Sequence, residues 1–244
     1  MDPLQALVLA VLGLFAGVVN TLAGGGSLLT VPVLVLLGLP GNLANGTNRV
    51  GILLQSVAAG WRFHRAGVSG LREAWGVVLP VVLGSVLGAT LISAVSDRTF
   101  ERLFAIVMLV LLVPTLRPAP GLRAPRKLPR AVHGVLFFVV GLYGGAFQAG
   151  VGLLLVFALS SLGYDLVRAN SIKVLVIAVL TAVAVPVFVW RGQVAWLPAL
   201  VLGSGFTAGG FLGAKLAVER GERIVRPVLA GSVLALAAKM LGLF

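Results

Sequence analysis

Eight stretches of this chain stay apolar for close to the ~20 residues that a helix needs to cross a bilayer. They fall at about 4–24, 43–61, 74–95, 103–116, 131–149, 172–190, 194–218 and 224–243. Little polar sequence separates them. Only 11% of the 244 residues are charged and 59% are hydrophobic, against about 25% charged in a soluble domain. The chain is therefore expected to be an all-α polytopic membrane protein with almost no extramembrane mass. Nucleic-acid binding and large soluble catalysis are excluded as leading functions. The net charge of +12 comes from basic residues gathered in short connections, where cytoplasmic loops carry them. With no Cys there is no disulfide and no thiolate metal site. Met1-Asp2-Pro3 lacks a basic n-region, so a cleaved signal peptide is not expected.

Two further apolar runs, 27–39 and 152–163, would reach only ~18 Å as helix, about half the hydrocarbon thickness. Their positions match because the chain repeats itself. Gly84-Ser-Val-Leu-Gly-Ala-Thr-Leu91 aligns with Gly209-Gly-Phe-Leu-Gly-Ala-Lys-Leu216, and the same spacing pairs Gly25 with Gly150, Gly38 with Gly163 and Asn45 with Asn170. Ahead of the first glycine cluster the spacing lengthens by three, pairing Gly13 with Gly141 and Gly17 with Gly145. Such a sustained register marks an internal duplication. The expected organisation is a transmembrane repeat over 1–116, a basic cytoplasmic linker over 117–130 and a second repeat over 131–244. Each repeat would hold a glycine-broken helical hairpin and three transmembrane helices.

Basic loops orient the two repeats. The segments 62–72 and 117–130 carry three and five basic residues and are separated by two spans, so both belong on the cytoplasmic face. If each broken hairpin crosses as two segments, the repeats are inverted and twelve loop cations lie inside against three outside. Parallel repeats would divide them nine to six. The bias favours inversion, with both termini outside.

The clusters Ala23-Gly-Gly-Gly-Ser27 and Gln148-Ala-Gly-Val-Gly152 break helices at matching places. Short or Gly-interrupted segments in corresponding positions of two halves are the best sequence pointer to a transporter binding site, because a new helix start presents unpaired N–H groups suited to an anion. Close helix packing is the competing explanation for these glycines. It is the preferred one for the GxxxG pairs Gly13/Gly17, Gly84/Gly88, Gly141/Gly145 and Gly209/Gly213.

All seven acids lie in loops or at span ends, whereas Arg49 and Lys173 sit in Asn45-Gly-Thr-Asn-Arg49 and Asn170-Ser-Ile-Lys173. An intramembrane cation needs a partner, and two are available: an anionic substrate, or a helix C-terminus or interfacial phosphate. The first is preferred. Candidate substrate-binding residues are thus Asn20, Gly25, Gly26, Ser27, Thr30, Asn45, Asn48 and Arg49 in the first repeat. Gln148, Gly150, Gly152, Asn170 and Lys173 are their counterparts in the second. Lys215, Lys239, His64 and His133 are read as interfacial. No Ser-His-Asp set, metal cluster or Walker motif is present, so neither catalysis, a cofactor nor ATP drive is expected.

The run from Asn20 to Pro32, followed by Ala44-Asn-Gly-Thr-Asn-Arg49, resembles the TauE/SafE family of sulfite exporters and organosulfonate permeases. Gly209-Gly-Phe-Leu-Gly-Ala-Lys215 and Gly221-Glu-Arg-Ile-Val-Arg-Pro227 are also similar to the family. The resemblance spans nearly the whole chain. It implies secondary transport of a small, often sulfur-containing anion across a bacterial inner membrane. It also implies that an acidic residue can stand at position 20 and that a basic residue is common at position 49; this chain has Asn20 and Arg49.

The expected function is alternating-access transport of sulfite or a short organosulfonate. Coupling to Na+ or to H+ carried by the anion stays open, as does a homo-oligomer. A passive anion channel and a membrane-embedded subunit of a larger assembly are the alternatives. Substrate identity and the direction of transport stay open as well.

Overall fold

A computed structural model describes residues 1–115 and 129–220, and among them the regular structure is entirely helical. In the first half these are α1 (Pro3–Ala23), α2 (Ser27–Leu36), α3 (Gly41–Arg65), the single turn α4 (Leu71–Trp75), α5 (Val78–Ser93) and α6 (Asp97–Thr115). The second half holds α7 (Arg130–Ala146), α8 (Val151–Ser161), α9 (Leu166–Trp190) and α10 (Trp196–Arg220). Backbone that faces lipid must satisfy its hydrogen bonds within its own segment, which leaves helix as the solution for these apolar runs. Seven of the eight expected spans contain a helix; the eighth, 224–243, lies outside the described residues, as does most of the linker 117–130. By length and hydropathy alone α1, α9 and most of α10 are fit to cross a membrane.

Local signals set the ends. Asp2 accepts from the Gln5 N–H at 2.7 Å while Gln5 caps it in return, with Pro3 in the first turn of α1. Asp165 caps α9 through the N–H groups of Val167 and Arg168. Helices α3 and α9 begin earlier than the apolar runs 43–61 and 172–190, taking in Asn42 and Asn170. These polar side chains are buried against protein rather than lipid, so hydropathy alone places the starts too late.

The GxxxG pairs fasten the two halves together. Gly13 and Gly17 lie on the backbone of Leu202, Phe206 and Gly209 of α10, and a Cβ at Gly17 would come within 2.8 Å of the Phe206 carbonyl. In the register-matched contact, Gly84 and Gly88 of α5 lie on Phe138 and Leu142 of α7, and Gly145 lies on Ser85. Small residues let backbones approach closely in lipid, where dispersion and weak polar contacts replace hydrophobic association. The pairing is crossed: the first helix of each half packs on a later helix of the other.

Chain direction follows from the same contacts. The start of α3, at Gly46, touches Phe188 at the end of α9 and Gln193 just beyond it, while Ile172 near the start of α9 touches Gly70 just beyond α3. The register-matched helices α3 and α9 therefore run antiparallel. Helices α1, α3 and α10 run the same way, since Gly205 meets Ala10, Gly213 meets Thr21, Gly51 meets Phe206 and Gly210 meets Gln55. Between α1 and α3 the chain must come back, and α2 brings it, starting with Gly26 folded against Ala16 and Asn20.

Candidate functional site

The two hairpin tips meet. Gly24 closes α1 in the left-handed region at φ +86°, and a Cβ there would fall on the Gly152 backbone, 2.6 Å from the Leu153 nitrogen. Glycine is required twice over, by conformation and by the approach of the opposing tip. Gln148 carries φ +61° without being glycine, a costly backbone state held by two side-chain hydrogen bonds. It accepts from Arg49 Nη1 at 3.0 Å and donates to Thr181 Oγ1 at 3.1 Å.

Arg49 of the first half reaches the broken end of α7 in the second. Its Nη1 donates to the Gly144 carbonyl at 3.1 Å, and its Nη2 to the Gly145 and Ala146 carbonyls at 2.7 and 2.8 Å. The guanidinium lies 4.6 Å from the centre of the Phe188 ring. Lys173 does the reverse: its Nζ donates to the Asn20 and Thr21 carbonyls at the end of α1, at 3.2 and 2.6 Å, and to Asn170 Oδ1 at 2.6 Å. Both cations are fully buried, at 0% exposure. Each neutralises the negative end of a helix macrodipole and donates to carbonyls of that helix's last turn, one of which, that of Gly144, also accepts the Gln148 N–H. Of the two partners weighed for these cations, the helix C-terminus is the one the structure displays.

The remaining expected residues divide between the tips. Around the first, Asn20 Oδ1 accepts from the Gly26 N–H at 3.3 Å and its Nδ2 donates to Gln55 Oε1 at 2.6 Å. Thr30 donates to Asn48 Oδ1 at 2.6 Å, and Asn48 donates to Ser27 Oγ at 3.2 Å. Gly25 accepts from the Leu28 N–H, opening α2. Around the second tip, Asn45 Nδ2 donates to the Ala146 carbonyl at 3.0 Å, and Gly150, at φ +67°, opens α8. Asn45 Oδ1 and Arg49 Nε are buried without a hydrogen-bond partner among the described residues.

Residues not singled out from sequence complete both networks. Gln55 bridges Asn20 and Thr21, donating to Thr21 Oγ1 at 2.8 Å, and Thr181 holds Gln148. Thr181 stands at the register position of Ser56, beside Gln55. A polar side chain inside an apolar span was the only signal, since Gln55 itself matches Leu180 in the repeat register. No acidic residue among the described ones is buried. The junction thus holds two cations surrounded by neutral oxygen.

Two crossed hairpins, broken at glycine and joined by buried cations, fit the pattern of interrupted helices in matching halves that membrane transporters build their sites from. The chain belongs to the family described as Sulfite exporter TauE/SafE, whose sequence pattern matches residues 9–240. It is 28% identical over 240 residues to a "Probable membrane transporter protein" of Haemophilus influenzae, covering 96% of this chain and 93% of that one. It is also 28% identical to "Probable membrane transporter protein ORF9" of a Sinorhizobium species, covering 96% of this chain and 91% of the relative. "Probable membrane transporter protein YfcA" of Escherichia coli is 28% identical too, with 99% and 91% covered. No solved structure matches. The protein is a multi-pass membrane transporter rather than an enzyme, and its bacterial relatives fit a place in the inner membrane.

Proposed function

We propose that this transporter carries a small oxyanion, sulfite or a short organosulfonate, between two inverted repeats that move against each other around the joined tips. One observation carries the reading: two fully buried cations stand at the junction with no buried carboxylate among the described residues. Carbonyl dipoles compensate a cation only in part. A mobile anion is the partner that would complete the neutralisation, and alternating access would deliver it.

The antiparallel run of α3 and α9 supports inversion. A substrate reaching the junction would draw Arg49 and Lys173 away from the carbonyls they now cap, freeing both broken helix ends at once. That exchange is a direct route from binding to movement of the tips. Arg49, with a planar fork, suits two oxygens of one oxyanion, whereas Lys173 acts as a point charge.

Coupling would come from sodium held by carbonyls near the breaks or from a proton carried by the anion itself, since sulfite titrates near neutral pH.

The deciding measurement is a thermal-shift screen of purified protein against sulfite, sulfate, thiosulfate, sulfoacetate and chloride, followed by counterflow in proteoliposomes. Stabilisation by an oxyanion with saturable counterflow is expected. Stabilisation by none of them would remove the anion reading, and single-channel currents without counterflow would replace the carrier with a pore. Inversion has a separate test, because the chain has no native Cys. Cysteines introduced at His64 and Arg191 should label from opposite faces of the membrane.

A further inference from the structure

Away from the junction, the last turn of α3 and the facing part of α10 build a second cationic site. Arg65 stacks on Trp61, its guanidinium carbon 4.9 Å from the ring centre, and Arg62 lies over Phe211 at 5.7 Å. The two rings pack on each other with centroids 6.1 Å apart. Lys215 stands one helical turn beyond Phe211 and is exposed. None of these three cations forms a salt bridge among the described residues, although Glu219 lies one turn further along α10.

A helix C-terminus favours cations by itself, so the internal repeat supplies the control. The positions matched to Trp61, Arg62, Arg65, Phe211 and Lys215 hold Pro186, Val187, Trp190, Val86 and Thr90. At the opposite membrane face the same scaffold carries no cation at any of these places; α9 ends on the single Arg191. Packing of the fold therefore does not demand the cluster. It belongs to the face that the basic loops assign to the cytoplasm, where anionic lipids concentrate.

We infer that this cluster binds the phosphate headgroup of an anionic phospholipid in the cytoplasmic leaflet. The stacked rings hold the two guanidinium planes in place, so less side-chain freedom is lost on binding. Deeper in the membrane, Leu54 and Val57 continue the exposed face of Trp61 along α3, offering an apolar track for an acyl chain. A free phosphate would use the cations and not the track, which is why a lipid is the occupant proposed.

The test uses the whole transporter, delipidated in detergent and titrated with phosphatidylglycerol, phosphatidylcholine or inorganic phosphate. Bound lipid is counted by native mass spectrometry and its effect on the melting temperature is recorded. Phosphatidylglycerol should bind and stabilise, and phosphatidylcholine should do so at least ten-fold more weakly. The double variant Arg62→Gln/Arg65→Gln should lose roughly ten-fold or more in phosphatidylglycerol affinity. It should melt as the parent does in phosphatidylcholine, which shows that it has folded. Arg98→Gln/Arg102→Gln, at the other face, should leave the affinity unchanged. Equal affinity of parent and Arg62/Arg65 variant, an equal loss in the Arg98/Arg102 variant, or full competition by inorganic phosphate at matched concentration would each overturn the proposal.

Discussion

Arg49 and Lys173 perform the same task from opposite halves by different chemistry. Arg49 binds three carbonyls and Gln148 Oε1 of the second tip while stacked on Phe188. Lys173 binds two carbonyls of the first tip and its own neighbour Asn170. They are not register partners: Lys173 matches Asn48, and Arg49 matches Val174. The duplication has kept the requirement, a cation across each broken helix end, and not the residue that meets it. Lys173 has all three ammonium donors engaged, whereas Arg49 keeps Nε unpartnered among the described residues. The difference marks Lys173 as the more complete cap and Arg49 as the cation with a donor still to give.

The largest expected effect tests that asymmetry. Arg49→Gln removes four charge-assisted hydrogen bonds, each worth about 1.5–3 kcal/mol, and should lower transport by over a hundred-fold. Lys173→Gln should cost less, roughly ten- to a hundred-fold. The two together should cost less than their sum if they share a ligand. Transport in proteoliposomes, with insertion checked by labelling, measures both. Equal losses from the two variants would erase the distinction.

Arg49→Lys sharpens the comparison by keeping charge and discarding the fork. It should fall between the parent and Arg49→Gln, because one ammonium cannot serve Gly144, Gly145, Ala146 and Gln148 together. Oxyanion affinity from thermal-shift titration should weaken more than chloride affinity, since chloride has no pair of oxygens to grip.

Phe188→Leu keeps most of the buried volume and removes the ring face under Arg49. A buried cation–π contact is worth about 0.5–2 kcal/mol, so stability should fall by that amount, and Lys173→Gln should add to it independently. Chemical or thermal unfolding of the single and double variants reads this out.

The smallest effect lies at the membrane surface, where Arg168 Nη2 of α9 and Glu73 Oε1 of α4 pair at 2.7 Å. The hydrogen bond from Arg168 holds the Glu73 carboxyl below its ordinary value of 4.5. A lowered folded-state pKa means that the pair stabilises above the unfolded value, and that this is lost as pH falls through the folded one. Glu73→Gln should therefore cost about 0–1 kcal/mol at neutral pH and nothing in acid below the folded-state pKa. Melting temperatures against pH would show the parent and variant curves converging as pH falls through the lowered folded-state pKa.

Much of the junction was legible because membrane sequences expose their exceptions. Asn45, Arg49 and Lys173 stand out in apolar spans and Asn170 at the edge of one, and the repeat register singles out Gly25 with Gly150. What hid the partners was distance. Arg49 bonds to carbonyls nearly a hundred residues away, and main-chain carbonyls leave no mark in a sequence. Gln55 and Thr181 were concealed for a related reason: a lone polar residue in a span carries no sign of which network it completes.

Composition and apolar run length alone determined a helical membrane protein, since lipid offers no other partner for the backbone. The repeat register alone paired the halves and located both glycine breaks. The tertiary structure decided which helix each GxxxG pair meets, that the tips touch at Gly24 and Gly152, and that each buried cation crosses to the other half. Those outcomes depend on how two copies of one pattern interlock. Register along a chain is a one-dimensional record, whereas the approach of Gly24 to Gly152 is set by the packing of α1 on α10 and α5 on α7.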